Sequence, residues 1–167
     1  MNILETIVKS KREEIKEKKN LYPVKLLERS VYFDSPTISL KEYLLREDKS
    51  GIIAEFKRRS PSKGDINIYA NPEEVSVAYM QAGASALSIL TDEKFFGGSD
   101  LDLMTARKFN FCPILKKDFI IDEYQIYDAK STGADAVLLI ASILTEKELR
   151  DFEKPARSMG MEVLFEI

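Results

Sequence analysis

The chain has 167 residues, of which 44% are hydrophobic and 32% are charged, and this composition suits one folded domain rather than a disordered chain. The net charge of −3 argues against a nucleic-acid partner, because a general nucleic-acid binder is usually basic over its domain. The sequence has no histidine and a single cysteine, Cys112, which excludes histidine-based triads, the usual zinc sites and an internal disulfide. Acid–base chemistry must therefore use Lys, Glu, Asp or Tyr.

The sequence shows no sign of a membrane partner. It has no run of about 18 apolar residues, so we expect no membrane span. The first 20 residues are charged and helical in pattern rather than signal-like. We therefore expect a cytoplasmic protein.

The first 50 residues are predicted to form an N-terminal helical extension. A helix is predicted over residues 2–19, with a partial apolar stripe made of Ile3, Leu4, Ile7, Val8 and Ile15. A short second helix is predicted over residues 39–46, after a loop that contains two prolines. We expect residues 1–50 to pack on a core made by residues 51–167, within the same domain.

A charged pair stands inside the first predicted strand, residues 52–57. Glu55 and Lys57 are two positions apart, so their side chains share one face of the strand. A charge on a buried face is tolerated only with good partners. Such a pair before a Ser-Pro-Ser turn is typical of the floor of an active site. An exposed edge strand with a salt bridge would give the same pattern.

From residue 51 onward the sequence alternates between strand and helix patterns. Strands are predicted at residues 52–57, 86–90, 112–117, 136–140 and 162–167. Helices are predicted at residues 72–81, 100–108, 123–131 and 146–158. Strand starts roughly 25 to 35 residues apart match a βα repeat and predict an α/β fold with a parallel sheet. An open doubly wound sheet and a βα barrel both fit, and the absence of a Walker or Gly-x-Gly-x-x-Gly motif favours the barrel.

Charged and aromatic residues recur where the predicted strands end. In both architectures ligands bind at the carboxyl ends of parallel strands. The segments at those ends are 55–62, 91–99, 116–119 and 165–167. Their recurrence predicts a ligand site at this edge of the sheet.

Four long segments carry a resemblance to a known family. They are IAEFKRRSPS (53–62), LSILTDEKFFGGS (87–99), PILKKDFI (113–120) and EVLFE (162–166). Together with the N-terminal helix they resemble indole-3-glycerol phosphate synthase, a carboxy-lyase of tryptophan biosynthesis. The resemblance implies a (βα)8 TIM barrel with an N-terminal helical extension, here with strands one to five.

The resemblance also implies a reaction on a small phosphorylated substrate. The substrate would be 1-(2-carboxyphenylamino)-1-deoxyribulose 5-phosphate, which undergoes ring closure, decarboxylation and dehydration to indole-3-glycerol phosphate. The family needs no cofactor and no metal. We therefore expect none here.

Catalytic roles carry over from the matched positions. Lys117 matches the general acid of ring closure, and Glu166 matches the acid–base partner of the dehydration. Lys57 matches the lysine that holds the substrate carboxylate, and Glu55 would orient and tune these lysines. The substrate-binding positions implied are Ser60, Pro61, Phe96, Phe119, Leu138 and Leu164, although Leu138 and Leu164 would equally suit an ordinary core.

The resemblance ends before a barrel is complete. A βα barrel needs eight strands and usually about 250 residues, with phosphate-binding loops after strands seven and eight. We therefore expect the isolated chain to be inactive, with an open strand edge that favours self-association. The alternative is an inactive half-barrel that associates with a complementary chain. Another phosphate-binding barrel enzyme, such as the isomerase that precedes this step, fits the Lys57, Lys117 and Glu166 set poorly.

Overall fold

The centre of the structure, a computed structural model that describes residues 2–167, is a five-stranded parallel sheet. In chain order the elements are α1 (Ile3–Leu21), α2 (Val24–Leu27), α3 (Leu40–Leu44), β1 (Ile53–Phe56), β2 (Arg59–Ser60), β3 (Gly64–Asp65), α4 (Pro72–Gln81), β4 (Ala86–Leu90), α5 (Glu93–Phe96), α6 (Asp100–Phe109), β5 (Ile114–Lys117), α7 (Tyr124–Ser131), β6 (Ala136–Ile140), α8 (Glu146–Ser158) and β7 (Glu162–Glu166). Each sheet strand pairs in parallel with the next one along the chain. This is the α/β architecture of the first five units of a βα barrel.

Side-chain caps determine where the longer helices begin. Asn2 and Glu5 form a capping box at the start of α1, and Thr145 and Glu148 form another at the start of α8. Ser99 accepts a hydrogen bond from the third residue of α6. Such caps satisfy backbone N–H groups that have no partner within the helix.

The structure contains short elements that the sequence pattern did not predict. These are helix α2, helix α5 and the antiparallel β2–β3 hairpin. The predicted strand at 112–117 begins only at Ile114, because Pro113 has no N–H to donate to a ladder. The apolar stripe predicted for α1 is partly wrong, since Ile3 is exposed whereas Lys11 is buried between Ile7 and Ile15.

The two faces of the sheet have different coverings. The outer face packs against the helices through a large apolar cluster that includes Leu87, Ile89, Ile114, Val137 and Leu139. The inner face carries a smaller cluster that includes Ala86, Leu115, Ala136, Leu138 and Ile140. Leu40 of α3 belongs to this inner cluster, so the N-terminal extension covers part of the inner face.

Glu162 at the amino end of β7 anchors α3. Its carboxylate accepts hydrogen bonds from the Ser39 hydroxyl at 2.6 Å and the Lys41 N–H at 2.9 Å. Since Leu40 contacts the inner cluster between these two residues, α3 lies near the amino ends of the strands. The carboxyl ends remain uncovered by this helix.

Within residues 2–167, no helix is both long enough and apolar enough to cross a membrane.

Candidate active site

A cleft of about 250 Å³ lies at the carboxyl ends of the sheet strands. Its charged lining residues are Glu55, Lys57, Lys117, Asp118 and Glu166. Its apolar lining residues are Leu90, Phe96, Phe119, Leu138 and Ile140. The cleft therefore combines an apolar wall with acid and base groups, the composition of a small-molecule site.

Glu55 and Lys57 form the first of two lysine–carboxylate pairs in the cleft. The Lys57 Nζ lies 3.0 Å from Glu55 Oε1. Both side chains are about one-third exposed, so the pair remains open to a ligand. The two side chains lie on the same face, as the strand parity predicts, and that face lines the cleft.

Lys117 and Glu166 form the second pair. The Lys117 Nζ lies 3.2 Å from Glu166 Oε2, although β5 and β7 are separated by β6. The register aligns Lys117 with Leu90 and Glu166 with Ile140, which places both residues at the carboxyl edge. The long side chains therefore meet across the floor of the cleft.

Two phenylalanines form the aromatic wall. The ring centroids of Phe96 and Phe119 lie 5.8 Å apart, with an interplanar angle of 37°. This separation is typical of aromatic pairs in contact. Phe96 belongs to the segment after β4 and Phe119 to the segment after β5, so the contact between the rings joins these two segments.

The residues at the two ends of helix α5, which carries Phe96, determine where this helix begins and ends. Asp92 caps its start by accepting a hydrogen bond from the Phe95 N–H at 2.7 Å. Gly97 ends it in the left-handed region at φ 66°. A Cβ on the following Gly98 would lie 2.1 Å from the Leu90 carbonyl oxygen, so only glycine allows this close approach to β4.

The residue before Lys117 lies in a different environment. Lys116 is 3% exposed on the outer face, where its Nζ lies 2.6 Å from Asp100 Oδ1 and 2.5 Å from Asp128 Oδ2. Burial by itself lowers the pKa of Lys116, but the two carboxylates outweigh it and raise that pKa well above its ordinary value. Lys116 is therefore a structural cation, and Lys117 is the lysine presented to the cleft.

The family model described as "Indole-3-glycerol phosphate synthase" matches residues 4–167. The chain belongs to the indole-3-glycerol phosphate synthase family.

Several curated indole-3-glycerol phosphate synthases are similar over nearly the whole chain. The protein from Bacteroides thetaiotaomicron is 52% identical over 166 residues, covering 99% of this chain and 64% of that relative. The protein from Carboxydothermus hydrogenoformans is 46% identical over 98% of this chain and 64% of the relative. One from Prochlorococcus marinus strain AS9601 is 46% identical over 99% of this chain and 57% of the relative. The chain thus spans between 57% and 64% of the length of these synthases.

Seven residues implicated by the resemblance to the synthase family lie together in the cleft. They are Glu55, Lys57, Phe96, Lys117, Phe119, Leu138 and Glu166. Leu164 lines an adjoining space of about 290 Å³ along the inner face, together with Leu115 and Ser88. The two spaces share lining residues, which include Lys117 and Leu138.

Ser60 and Pro61 lie apart from the lining of the cleft. Ser60 is buried in β2, where its hydroxyl accepts a hydrogen bond from the Lys63 N–H at 3.2 Å. Pro61 is exposed in the turn of the β2–β3 hairpin. The structure therefore does not bring these two predicted contact residues together with the others.

Three lining residues were not among the predicted site residues, namely Leu90, Asp118 and Ile140, and Asp118 is the charged one. Its Oδ2 accepts a hydrogen bond from the Thr91 hydroxyl at 2.6 Å, and its Oδ1 accepts one from the Phe119 N–H at 2.7 Å. Burial acts to raise its pKa, but the ammonium groups of Lys11 and Lys116 outweigh it and hold that pKa below its ordinary value. Its position directly after Lys117 at a strand end was the available signal.

No group of three or more acidic or cysteine side chains among residues 2–167 is arranged to hold a metal ion.

Proposed function

We propose that this protein catalyses the formation of indole-3-glycerol phosphate from 1-(2-carboxyphenylamino)-1-deoxyribulose 5-phosphate. The observation that carries the proposal is the pair of lysine–carboxylate contacts, Lys57–Glu55 and Lys117–Glu166, beside one aromatic wall. An anionic aromatic substrate needs cations for its carboxylate, apolar contacts for its ring and proton donors at its ketone. Family membership and relatives at 52% and 46% identity support the same reaction.

Ring closure is assigned to Lys117. The ring carbon that bears the carboxylate attacks the ketone carbon, a carbon–carbon bond forms, and the ketone oxygen takes a proton from the Lys117 ammonium. The carboxylate then leaves as CO2, and the electrons of the broken bond restore the aromatic ring. A positioned general acid of this kind typically contributes about 10²–10⁴-fold to the rate.

Dehydration is assigned to Glu166 working with Lys117. The new hydroxyl leaves as water after it receives a proton, and the neighbouring carbon gives up a proton to form the indole double bond. The 3.2 Å contact between Lys117 and Glu166 supports proton exchange between the two groups. One pair can therefore serve two successive steps.

Substrate orientation is assigned to the other pair and to the aromatic wall. Lys57 would hold the substrate carboxylate, with Glu55 holding the Lys57 ammonium in place at 3.0 Å. Phe96 and Phe119 would contact the aminobenzoate ring, with Leu138 and Leu164 lining the inner face beneath it. Ser60 and Pro61, in the β2–β3 segment, would reach the carboxylate side of the substrate only if that segment moved toward the cleft.

Further proposals concern the organisation of the chain and its surroundings. We propose that residues 1–50 and 51–167 form one domain, because Leu40 packs in the inner cluster and α1 is ion-paired to the barrel loops. We propose a cytoplasmic location and a small-molecule substrate as the partner.

Self-association through the exposed edge of β7 is proposed for residues 1–167 when expressed alone.

The test is turnover by the full-length gene product, with indole formation followed by fluorescence and product mass. We expect activity in the wild type and a raised KM in Lys57→Met. Lys63→Met provides a matched control, because Lys63 is an exposed lysine in the neighbouring hairpin turn. Absence of turnover by a folded wild-type protein would contradict the proposal. The half-barrel alternative is less favoured, because the acid and base groups lie together in one cleft.

A further inference from the structure

Lys11 on α1 is the most buried lysine near the cleft and lies outside the catalytic set. Its side chain is 1% exposed. Its Nζ lies 3.0 Å from Asp92 Oδ2, 3.0 Å from Asp118 Oδ1 and 2.8 Å from Glu14 Oε2. A buried ammonium is costly unless it is paired, so this residue requires these acidic partners.

The two buried aspartates that contact Lys11 hold the cleft loops. Asp92 caps α5, which carries Phe96, and its carbonyl accepts a hydrogen bond from the Gly98 N–H at 2.9 Å. Asp118 follows Lys117 and accepts a hydrogen bond from the Phe119 N–H. Lys11 therefore connects, through one ammonium group, the loop after β4 with the loop after β5.

Removing the Lys11 charge would leave two buried carboxylates facing each other. Asp92 and Asp118 are both within ion-pair distance of the same Nζ, so without it they would repel. Relief of that repulsion requires the two loops to separate or a proton to bind. Separation of the loops would alter the backbone that positions Phe119 and Lys117, and a bound proton would change the hydrogen bonds that Asp92 or Asp118 accepts.

We propose that Lys11 is a positioning residue for catalysis, acting through Asp118 and Asp92 on Lys117 and the two phenylalanines. The inference rests on the proposed function, since it concerns the same cleft. It assigns to the N-terminal extension a role in the geometry of the reaction. The raised pKa of Lys11, which its acidic partners impose against the effect of burial, keeps the group charged over the working pH range.

Lys18 on the same helix provides a matched control. It lies two helical turns after Lys11, on the same side of α1, and is ion-paired to Asp100 at 2.5 Å and Asp128 at 3.2 Å. These partners belong to α6 and α7 rather than to the cleft lining. Lys18→Met therefore loosens the attachment of α1 without acting on the cleft loops.

The experiment compares Lys11→Met and Lys18→Met in the full-length gene product. Kinetics are measured well below the melting temperature of the less stable of the two variants. We expect Lys11→Met to lower kcat by roughly 10- to 100-fold, since a misplacement of about 1 Å can cost about 10²-fold. It should also weaken binding of the alcohol made by reducing the substrate ketone, which cannot cyclise. We expect Lys18→Met to lower the melting temperature and to leave kcat and analogue binding near wild type.

A double-mutant cycle tests whether Lys11 acts through Asp118. If it does, Lys11→Met should have little further effect on kcat in an Asp118→Asn background, because the two residues act as one unit. A purely structural role of Lys11 would give the same fold-loss in both backgrounds and would overturn the inference. If Lys11→Met does not fold, Lys11→Gln replaces it, since an amide can donate to one carboxylate but cannot neutralise both.

Hydrogen exchange separates failure of this inference from failure of the proposed function. In Lys11→Met, amides of residues 93–98 and 117–120 should exchange faster than in the wild type, whereas Lys18→Met should leave them unchanged. If the wild type is inactive but the variants show this exchange pattern, the proposed reaction is refuted, whereas the positioning of the cleft loops by Lys11 is still supported. Unchanged exchange in these segments, or kinetics of Lys11→Met that equal those of Lys18→Met, would refute the positioning role.

Discussion

Lys116 and Lys117 are consecutive in β5, yet their ammonium groups lie on opposite faces of the sheet. Lys116 is ion-paired on the helical side to Asp100 and Asp128, whereas Lys117, 27% exposed, contacts Glu166 in the cleft. The alternation of side chains along a strand produces this division. One lysine thus stabilises the fold, and the other is available for chemistry.

Replacing Lys117 should affect the reaction far more than the fold. Lys117→Ala removes the proposed proton donor, so kcat should fall by about 10²–10⁴-fold. Its partner Glu166 is half-exposed, which limits the effect on the free energy of unfolding to about 1 kcal/mol or less. Steady-state kinetics and urea unfolding of the same sample would check this, and near-normal kcat would remove Lys117 from the role.

Replacing Lys116 should affect the stability of the fold far more than the reaction. Lys116→Met leaves the Asp100 and Asp128 carboxylates without their buried partner, and breaking a buried pair costs about 3–5 kcal/mol. The free energy of unfolding should fall by this amount, while the folded fraction keeps a KM close to wild type. A stability equal to that of Lys117→Ala would contradict the assignment of Lys116 as a structural cation.

The aromatic wall should contribute to substrate affinity. Phe96→Ala removes the ring that lies 5.8 Å from Phe119, and an aromatic contact is worth about 0.5–1.5 kcal/mol beyond its burial. KM should therefore rise by several-fold or more. Phe111→Ala is the control, because that ring is 86% exposed; equal KM values in the two variants would exclude Phe96 from ring binding.

The ion pairs around Asp118 should make stability depend on acid pH. The pKa of Asp118 is lower in the folded protein than its unfolded value of about 3.9. The unfolded state therefore binds the proton more tightly, so the stabilisation is complete above about pH 5 and is lost progressively as the pH falls toward the lower pKa of the folded state. Asp135, whose pKa burial raises, contributes the opposite slope and reduces the net effect.

Urea unfolding at several pH values would measure the contribution of Asp118. Between about pH 5 and pH 3, Asp118→Asn should lose less stability than the wild type. Asp65→Asn, at an exposed carboxylate in β3, should follow the wild-type curve. Identical slopes for wild type and Asp118→Asn would show that Asp118 does not contribute to the acid dependence.

Residues 1–167 expressed alone should self-associate. In the part of the chain that the structure describes, β7 pairs only with β6, and Leu164 and Phe165 are 38% and 42% exposed. An unpaired apolar edge favours pairing with another chain. Size-exclusion chromatography across a concentration series should show larger species. A monomer at every concentration would contradict this expectation.

Strand parity and strand-end position predicted at which edge of the sheet the site lies, whereas the resemblance to the synthase family selected most of its individual residues. They placed Glu55 and Lys57 on one face, and the regular βα spacing located all five sheet strands to within a few residues. Helix α5 was missed because four residues are too few for a periodic pattern. Its formation depends on the Asp92 cap and on Gly97 and Gly98.

The burial of Lys11 could not be inferred from local pattern. A lysine in a charged amphipathic helix normally faces solvent, and its partners Asp92 and Asp118 lie far away in sequence. Only the docking of α1 on the loops after β4 and β5 brings them together. Asp118, by contrast, stood at a strand end and could have been included on the same grounds as Lys117.

The position of Leu40 in the inner cluster affects the side of the barrel from which small molecules can reach the cleft. Because α3 lies over the amino side of the inner face, the described part of the barrel opens at the carboxyl side, where the cleft is. In the proposed reaction, substrate and product would both occupy this cleft. Product must then depart before the next substrate binds, so we expect indole-3-glycerol phosphate to act as a competitive inhibitor of the proposed reaction.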